Sequence, residues 1–222
     1  FDNLSASLFL WRSLSQWIGG LGVIVFFVAI LSSMGAGAKI LFSHETSASA
    51  SDLHQERIQD GILKLLIFYL ILTLSCLFSY KIFGMNWFDA INHSMTTIAT
   101  GGFSTHIESF QYFNSPSIEW VAVLFMTISA STFIFIIGCM EGQKGVFRKG
   151  MEIYFFYLII IMASFFLFFI LKDDLPSMEA LRAAFFQAVS LISTTGFSSV
   201  DYDAWGIPSK ILLMILMFIG GC

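Results

Sequence analysis

Residues 97–105 read Thr-Ile-Ala-Thr-Gly-Gly-Phe-Ser-Thr, and residues 191–199 read Leu-Ile-Ser-Thr-Thr-Gly-Phe-Ser-Ser. When Phe103 is matched with Phe197, an isoleucine, a threonine, a glycine and a serine around them recur at the same spacing. Each copy follows an apolar segment that is too short to cross a bilayer. A polar, glycine-bearing stretch that occurs twice in an apolar chain predicts two copies of one structural unit.

The composition is that of a membrane protein. Hydrophobic residues make up 57% of the 222 residues, phenylalanine alone contributes 26, and charged residues are only 12%. Several apolar runs reach the roughly 20 residues that a helix needs to span the hydrocarbon core. This composition excludes an ordinary soluble domain. We therefore predict an all-α integral membrane protein.

The three cysteines, Cys76, Cys139 and Cys222, lie within or at the end of apolar runs. None belongs to a CxxC pair or to a Cys/His spacing typical of zinc sites. We interpret them as buried thiols, because a free cysteine behaves as a small hydrophobic residue.

The apolar runs place the two loops in similar units. We expect spanning helices over residues 17–34, 62–83, 119–138 and 152–171. Short helices over residues 86–99 and 178–193 precede the loops, with Asn86 and Ser177 as their caps. The last apolar run, residues 209–219, is about half a membrane long at roughly 1.5 Å per residue. The predicted unit is a span, a re-entrant short helix, a loop and a second span.

The distribution of lysine and arginine predicts the orientation. Lys144, Arg148 and Lys149 lie between the third and fourth predicted spans, whereas residues 84–117 contain neither lysine nor arginine. By the positive-inside rule the cationic segment is cytoplasmic, and both loops enter the membrane from the outside.

Glycine loops at the ends of re-entrant helices suit a cation filter. Each short helix directs the negative end of its dipole into the membrane. Glycine allows torsions that aim consecutive carbonyl oxygens at one axis, where they replace the water shell of a potassium ion. Neither loop contains a carboxylate, which disfavours a divalent-cation site, and we expect Phe103 and Phe197 to wedge the loops against neighbouring helices. A pair of glycine turns is the simpler alternative, but two copies at matching places favour the pore.

The chain resembles the Trk/Ktr family of potassium transporters, in particular its TrkH-like branch. The matching pieces keep the family's order and are Trp11-Arg12-Ser13, Gln16-Trp17-Ile18-Gly19-Gly20-Leu21-Gly22, residues 99–105, residues 194–201 and Gly220-Gly221-Cys222. The resemblance implies four units around one pore, each of which gives one filter strand. It implies a selectivity filter at Thr100, Gly101, Gly102, Thr194, Thr195 and Gly196, and a gate at Gly220, Gly221 and Cys222.

The resemblance also divides the chain into domains. They are the second helix of a first pore unit at 1–34, a cytoplasmic loop at 35–60, a second pore unit at 61–140 with its filter loop at 99–105, a cytoplasmic loop at 141–152, and a third pore unit at 153–222 with its filter loop at 193–199, truncated at the gating loop. Only two of the four filter strands would lie in this chain. We therefore expect it to be a piece of a longer polypeptide, unable to form a sealed pore by itself.

The function that the resemblance implies is potassium uptake by a multi-pass protein of the bacterial cytoplasmic (inner) membrane. Potassium is the transported ion, and we expect no enzymatic activity and no other metal. The implied partners are membrane lipid, a second copy in a homodimer and a cytosolic regulatory subunit that binds nucleotides; we expect no nucleic-acid partner.

Two other functions remain as alternatives. An assembly subunit without a pore of its own would be equally hydrophobic, but it would not need two glycine loops. A membrane-embedded metalloenzyme could use His93, His106 and Glu108 as ligands, although the sequence has no HExxH motif. The second copy carries Gln187 and Val200 where the first carries the histidines.

Asp201 and Asp203 follow the second loop directly. They could attract cations at an outer mouth, or they could form a hydrated Asx turn, which is a common role of aspartate in loops. The sequence does not distinguish these two roles.

Overall fold

The computed structural model describes residues 5–20, 22, 49–131, 151–172 and 175–220, and this part of the chain is helical with no β-strand. Its α-helices are α1 (6–20), α2 (Ser49–Ile82), α3 (Trp87–Ile98), α4 (Pro116–Ala130), α5 (Met151–Leu171), α6 (Ser177–Ile192) and α7 (Ile207–Gly220). Two 3-10 helices, Ser109–Phe113 and Tyr202–Ala204, follow the two loops. The predicted helical class is confirmed.

One helix in the described part of the chain, over Lys64–Ile82, is long and apolar enough to cross a membrane. Three shorter stretches, Pro116–Ala130, Phe156–Leu171 and Ile207–Gly220, are also apolar. The last is the half-length run predicted from the sequence, and its helix of 14 residues is about 21 Å long.

The first two spans differ from the prediction at their amino-terminal ends. Helix α1 begins at residue 6 rather than 17, and α2 begins at Ser49 rather than at residue 62. The stretch from Ser49 to Asp60 was predicted as part of a cytoplasmic loop that is partly helical over residues 52–60, and it contains no glycine or proline that would stop the helix. A helix that has already formed is extended at little cost, so it continues through this polar stretch. The remainder of the first predicted span, residues 23–34, lies outside the described residues.

Helix α4 begins at Pro116, a residue that suits the first turn of a helix, and ends at Ala130. The prediction placed this span over residues 119–138. At Ser131 the backbone is extended, and the Ser131 hydroxyl lies 2.6 Å from the Tyr157 hydroxyl of α5. Residues 132–150, which include most of the predicted cytoplasmic loop, lie outside the described part of the chain.

The two short helices begin differently. Asn86 caps α3 as predicted, because its Oδ1 accepts a hydrogen bond of 2.7 Å from the Asp89 N–H. Ser177 was predicted as the cap of α6, but it is the first residue of this helix. Pro176 occupies the cap position and makes no side-chain hydrogen bond there. Proline fixes φ near the helical value, which favours a helix that starts at the next residue.

The short helices α3 and α6 occupy the middle of the structure. Helix α3 packs against α2 and α4, whereas α6 packs against α4, α5 and α7. One hydrophobic cluster includes residues of both units, among them Tyr80 and Phe110 of the first and Phe186 and Phe197 of the second. Helix α4 therefore joins the two units, and the loops that follow α3 and α6 are brought side by side.

Candidate ion filter

The first loop (99–105) and the second loop (193–199) share an unusual backbone. Thr100 and Thr194 have φ values of 50° and 57°, and Gly102 and Gly196 have φ values of 67° and 85°. Gly101 and Thr195, which lie between these two positions in each loop, do not have positive φ. Threonine rarely adopts this left-handed conformation, which costs about 1–3 kcal/mol at such a position. Its recurrence at matching positions shows that the two loops are copies in structure as well as in sequence.

A single residue of α3 fastens the first loop at two points. The N–H of Gly101 donates to the carbonyl of Thr96 at 2.8 Å. The Thr96 hydroxyl in turn donates to the carbonyl of Phe103 at 2.9 Å. The strand between these points is therefore held to the helix at both ends.

Ser190 of α6 does the same for the second loop. Its carbonyl accepts from the N–H of Thr195 at 3.0 Å, and its hydroxyl donates to the carbonyl of Phe197 at 2.7 Å. Neither hydroxyl residue was among the predicted site residues. The available signal was a hydroxyl side chain at the same place in each copy, Thr96 and Ser190, two residues before the end of the helix.

The two loops touch through Gly102. A Cβ atom added to Gly102 would overlap the carbonyl of Thr195 and lie 3.2 Å from the carbonyl carbon of Gly196. A Cβ atom added to Gly196 would meet no described atom within 4 Å. The first loop thus faces the second, whereas the corresponding side of the second loop meets none of the described residues.

Helix α1 covers the first loop. A Cβ atom on Gly101 would overlap the side-chain amide of Gln16, so this glycine leaves room for the glutamine. One turn earlier, the Arg12 guanidinium lies 4.3 Å from the centroid of the Phe103 ring, a cation–π contact. Gly20 lets the same helix approach Ala99, because a Cβ atom there would already lie 3.3 Å from the alanine Cβ.

The two loop phenylalanines do not behave alike. Phe197 is 1% exposed, and its ring centroid lies 4.6 Å from that of Phe110. This confirms the predicted wedge in the second loop. Phe103 is 36% exposed, and its ring packs against α1 through Arg12, so it is less deeply buried than Phe197. Among the described residues, the aromatic 3-10 helix Ser109–Phe113 lies against the second loop and adds to the burial of Phe197.

This 3-10 helix connects the first unit to the second loop. The N–H groups of Phe110 and Gln111 donate to the carbonyl of Ser198 at 2.9 and 3.3 Å. The N–H of Ser198 donates to the hydroxyl of Ser109 at 3.3 Å. The end of the second loop is therefore held by residues that follow the first.

A cavity of about 320 Å³ lies where the short helices end. Its lining includes Thr100 and Thr194 of the loops, the hydroxyl residues Ser129 and Ser193, and Gly220 of α7. The carboxyl end of α6 borders the cavity, and this end of a helix dipole favours cations. The six predicted filter residues thus lie in two adjacent loops, of which Thr100 and Thr194 border the cavity.

Of the predicted gate residues, Gly220 borders this cavity as the last residue of α7. A Cβ atom on Gly220 would lie 2.5 Å from the carbonyl oxygen of Leu191 and 2.7 Å from that of Ile192. Glycine is therefore required for the close contact between α7 and the end of α6. Gly221 and Cys222 lie outside the described residues.

A buried ion pair also joins the units. The Nε of Arg182 in α6 lies 2.9 Å from Oε2 of Glu119 in α4, and their side chains are 20% and 4% exposed. The sequence analysis did not pair these residues. The signal was a single charged residue in α4, Glu119, and a single basic residue in α6, Arg182.

The histidines considered as metal ligands are engaged elsewhere. His93 is fully buried, with Nδ1 2.9 Å from the carbonyl of Asp89 and Nε2 3.0 Å from the hydroxyl of Ser104. His106 lies 3.1 Å from the Asp89 carboxylate, and Glu108 is exposed. Within the described ranges, no group of His, Cys, Asp and Glu side chains is arranged to hold a metal ion. The geometry does not support a metal site at these residues.

The structure shows the surroundings of two other residues, Asp201 and Cys76. The carboxylate of Asp201 accepts a hydrogen bond of 3.0 Å from the N–H of Asp203, which is an Asx turn on the surface. Cys76 is a free, fully buried cysteine, as predicted. Cys139 and Cys222 lie among the residues that are not described.

The sequence profile of the TrkH family, described as cation transport proteins, matches residues 1–152 and 146–222. The chain belongs to the TrkH family. This confirms the resemblance to Trk transporters, and the description as transport proteins agrees with the prediction that the chain is not an enzyme.

Relatives of the TrkH family align over the whole chain. The Trk system potassium uptake protein TrkH of Halomonas elongata is 36% identical over 100% of this chain and 47% of its own length. The TrkH protein of Escherichia coli K12 is 34% identical over 100% of this chain and 47% of its own length. The chain thus spans about half the length of these relatives.

A solved structure of the TrkH family has the same fold. The crystal structure of the potassium transporter TrkH from Vibrio parahaemolyticus matches 97% of this chain and 44% of its own chain, with a TM-score of 0.80 and 32% identity. The likeness confirms the predicted class of an all-α integral membrane protein.

Proposed function

We propose that this chain supplies two strands of the selectivity filter through which a longer TrkH-family protein takes up potassium ions. The observation that carries the proposal is the pair of loops with matching left-handed backbone, in contact through Gly102 and Thr195. Backbone that alternates in handedness can turn successive carbonyl oxygens toward one path. Carbonyl oxygens on such a path replace the hydration shell of potassium.

The proposed ion ligands are the carbonyl groups of Thr100, Gly101, Gly102, Thr194, Thr195 and Gly196. Their strands are supported at both ends by Thr96 and Ser190, which holds the oxygens in place before an ion arrives. The cavity of about 320 Å³ beneath them is large enough for several water molecules and receives a helix carboxyl end. An ion that leaves the filter can therefore be rehydrated there.

The remaining strands would come from outside this chain. No described atom lies within 4 Å of the side of Gly196 that corresponds to the crowded side of Gly102, and we place a further strand there. The relatives that the chain matches over about half their length are named potassium uptake proteins. Both observations support a pore with four units, of which the second and third, 61–140 and 153–222, lie here.

We further propose that Gly220, with Gly221 and Cys222, belongs to a gate below the filter. The support is the position of Gly220 at the edge of the cavity and its close contact with the carbonyls at the end of α6. A small movement of α7 at this contact would change the width of the path. The cytoplasmic inner membrane, the homodimer and a nucleotide-binding regulatory subunit remain proposals that rest on the family.

The proposal is tested by rubidium uptake in cells that lack their own potassium uptake and express the longest reading frame containing this chain. Gly102→Ser forces a side chain against the Thr195 carbonyl, and such overpacking costs about 1–3 kcal/mol. We expect uptake that potassium competes away in the wild type, and loss of uptake or of selectivity in the variant at an equal amount of membrane protein.

Gly206→Ser is the matched control, because a Cβ atom there makes only an ordinary contact of 3.6 Å with Pro208. We expect this variant to transport rubidium like the wild type. Unchanged uptake and selectivity in Gly102→Ser would overturn the filter, and would favour the assembly subunit considered as an alternative.

A further inference from the structure

Asp89, in the first turn of α3, is a buried carboxylate with three side-chain partners. Its Oδ1 accepts a hydrogen bond of 2.5 Å from the Thr105 hydroxyl. Its Oδ2 accepts from the Asn86 amide at 2.7 Å and lies 3.1 Å from Nε2 of His106. The Asp89 side chain is 4% exposed, so these bonds are made out of contact with bulk water.

The partners of Asp89 come from both ends of one structural unit. Asn86 precedes α3, whereas Thr105 and His106 follow the first loop. The carboxylate therefore joins the beginning of the helix to the end of the loop. Thr105, the loop residue that Asp89 binds, lies two residues after Phe103. The carbonyl of Phe103 accepts the hydrogen bond from Thr96 that holds the same end of the loop.

The second unit has no such carboxylate. At the matching positions it carries Ala180, Ala183 and Val200. Its loop is instead held through the Ser198 carbonyl by the 3-10 helix Ser109–Phe113, which begins shortly after His106. Both loops therefore depend on the same stretch of chain, and Asp89 fixes the beginning of that stretch.

We propose that Asp89 is a positioning residue for cation selectivity, acting on both filter strands although it touches no ion. This inference rests on the proposed function. If the carboxylate releases Thr105 and His106, the outer ends of the strands gain freedom, and their carbonyl oxygens can close around a smaller ion. Discrimination between potassium and sodium depends on the size of the cavity and on the number and field of the carbonyl groups, so sodium is admitted.

The test measures rubidium and sodium uptake in the same cells, with the same longest reading frame. Asp89→Asn keeps the shape of the side chain but loses its charge and sets its amide against that of Asn86. We expect the ratio of rubidium to sodium uptake to fall by about tenfold, the order of magnitude that a hydrogen bond to a charged group represents. A residue that served only folding would lower both rates together and leave the ratio unchanged.

Glu108→Gln is the matched control for charge. It removes one carboxylate near the end of the same loop, but the Glu108 side chain is exposed. We expect its uptake ratio to equal that of the wild type. An equal fall of the ratio in Glu108→Gln and Asp89→Asn would overturn the positioning role, because it would mean that outer negative charge alone sets selectivity.

Thr105 provides a second, independent variant pair. Thr105→Val removes the hydroxyl that Asp89 binds and should lower the ratio of rubidium to sodium uptake, as Asp89→Asn does. Thr105→Ser keeps the hydroxyl and should keep the wild-type ratio. The double variant Asp89→Asn/Thr105→Val should be no worse than Asp89→Asn alone, because the contact that Thr105→Val removes is one of those that Asp89→Asn already disturbs. If Asp89→Asn does not accumulate, the Thr105 pair decides the question.

The outcomes separate the two proposals. Wild-type ratios in both Thr105→Val and an accumulating Asp89→Asn would overturn the role of Asp89 and leave the filter standing. A wild-type protein that is present in the membrane but takes up no rubidium would overturn the proposed function itself.

Discussion

Thr100 and Thr194 hold a backbone conformation that threonine rarely adopts, and they hold it at matching places in two loops. Strain of this kind persists only where the surroundings determine the conformation. Here the surroundings are the hydroxyl groups of Thr96 and Ser190, which bind the carbonyls of Phe103 and Phe197. One hydroxyl side chain of the preceding helix therefore contributes to the conformation of each loop.

This dependence predicts the effect of removing the hydroxyl groups. Thr96→Val and Ser190→Ala each leave a loop carbonyl without its donor, which costs about 1–3 kcal/mol for a buried group. We expect a lower melting temperature of the purified protein in detergent and a reduced preference for rubidium over sodium in uptake.

Thr96→Ser is the control for the first of these variants, because it keeps the hydroxyl. Ser190→Thr serves the second in the same way. Full selectivity in Thr96→Val or Ser190→Ala would contradict the view that these residues shape the filter.

Between elements, the contact of α4 with α6 combines apolar packing with the Arg182–Glu119 ion pair. Removing one member of a buried pair leaves an uncompensated charge and destabilises a protein by about 3–5 kcal/mol. We expect Glu119→Gln to lower the melting temperature clearly, since Arg182 then keeps its charge without a partner.

The double variant Glu119→Gln/Arg182→Met removes both charges and should recover most of this loss, as replacing a whole buried pair by neutral residues is often tolerated. Thermal unfolding of the three proteins in one detergent gives the comparison. A single variant as stable as the wild type would show that the pair contributes nothing to the joint between the units.

The elements themselves could largely be predicted from the sequence, because they depend on local composition. The apolar runs indicated the helices, and Asn86 followed by Asp89 indicated the start of α3. The beginning of α2 could not be placed, because a polar stretch without glycine or proline can continue a helix. The end of α4 could not be placed, because the helix stops before Ser131, whose hydroxyl contacts Tyr157 of α5. Contacts between distant residues, such as Asp89 with Thr105, have no periodic signal at all.

The candidate filter was predicted on a different basis. Repetition identified the loops, and the family resemblance gave their residues roles. Neither the repetition nor the resemblance identified the residues that support the loops. Thr96 and Ser190 look like ordinary helix residues in the sequence, and only the fold places their hydroxyl groups beside the carbonyls of Phe103 and Phe197. The sequence analysis also treated Phe103 and Phe197 as equivalent, whereas only Phe197 has the aromatic 3-10 helix beside it.

For the whole molecule, the side of Gly196 that no described residue covers, together with the presence of two filter loops in this sequence, predicts that residues 1–222 alone cannot conduct selectively. A path with two adjacent strands lacks the opposing oxygens that replace an ion's water shell. We expect this fragment to reach the membrane without giving rubidium uptake that potassium competes away. The longest reading frame containing it, expressed to the same level, is the positive control, and selective uptake by the fragment would contradict the incomplete pore.

The bonds from Phe110 and Gln111 to the Ser198 carbonyl have a consequence for how such a protein changes over generations. Duplicated units are free to diverge only if each one carries its own supports, and here the second copy borrows a support from the first. A substitution in residues 109–111 therefore disturbs the loop of the second copy, and we expect the compensating substitution in that second loop. The two repeats form one unit of selection.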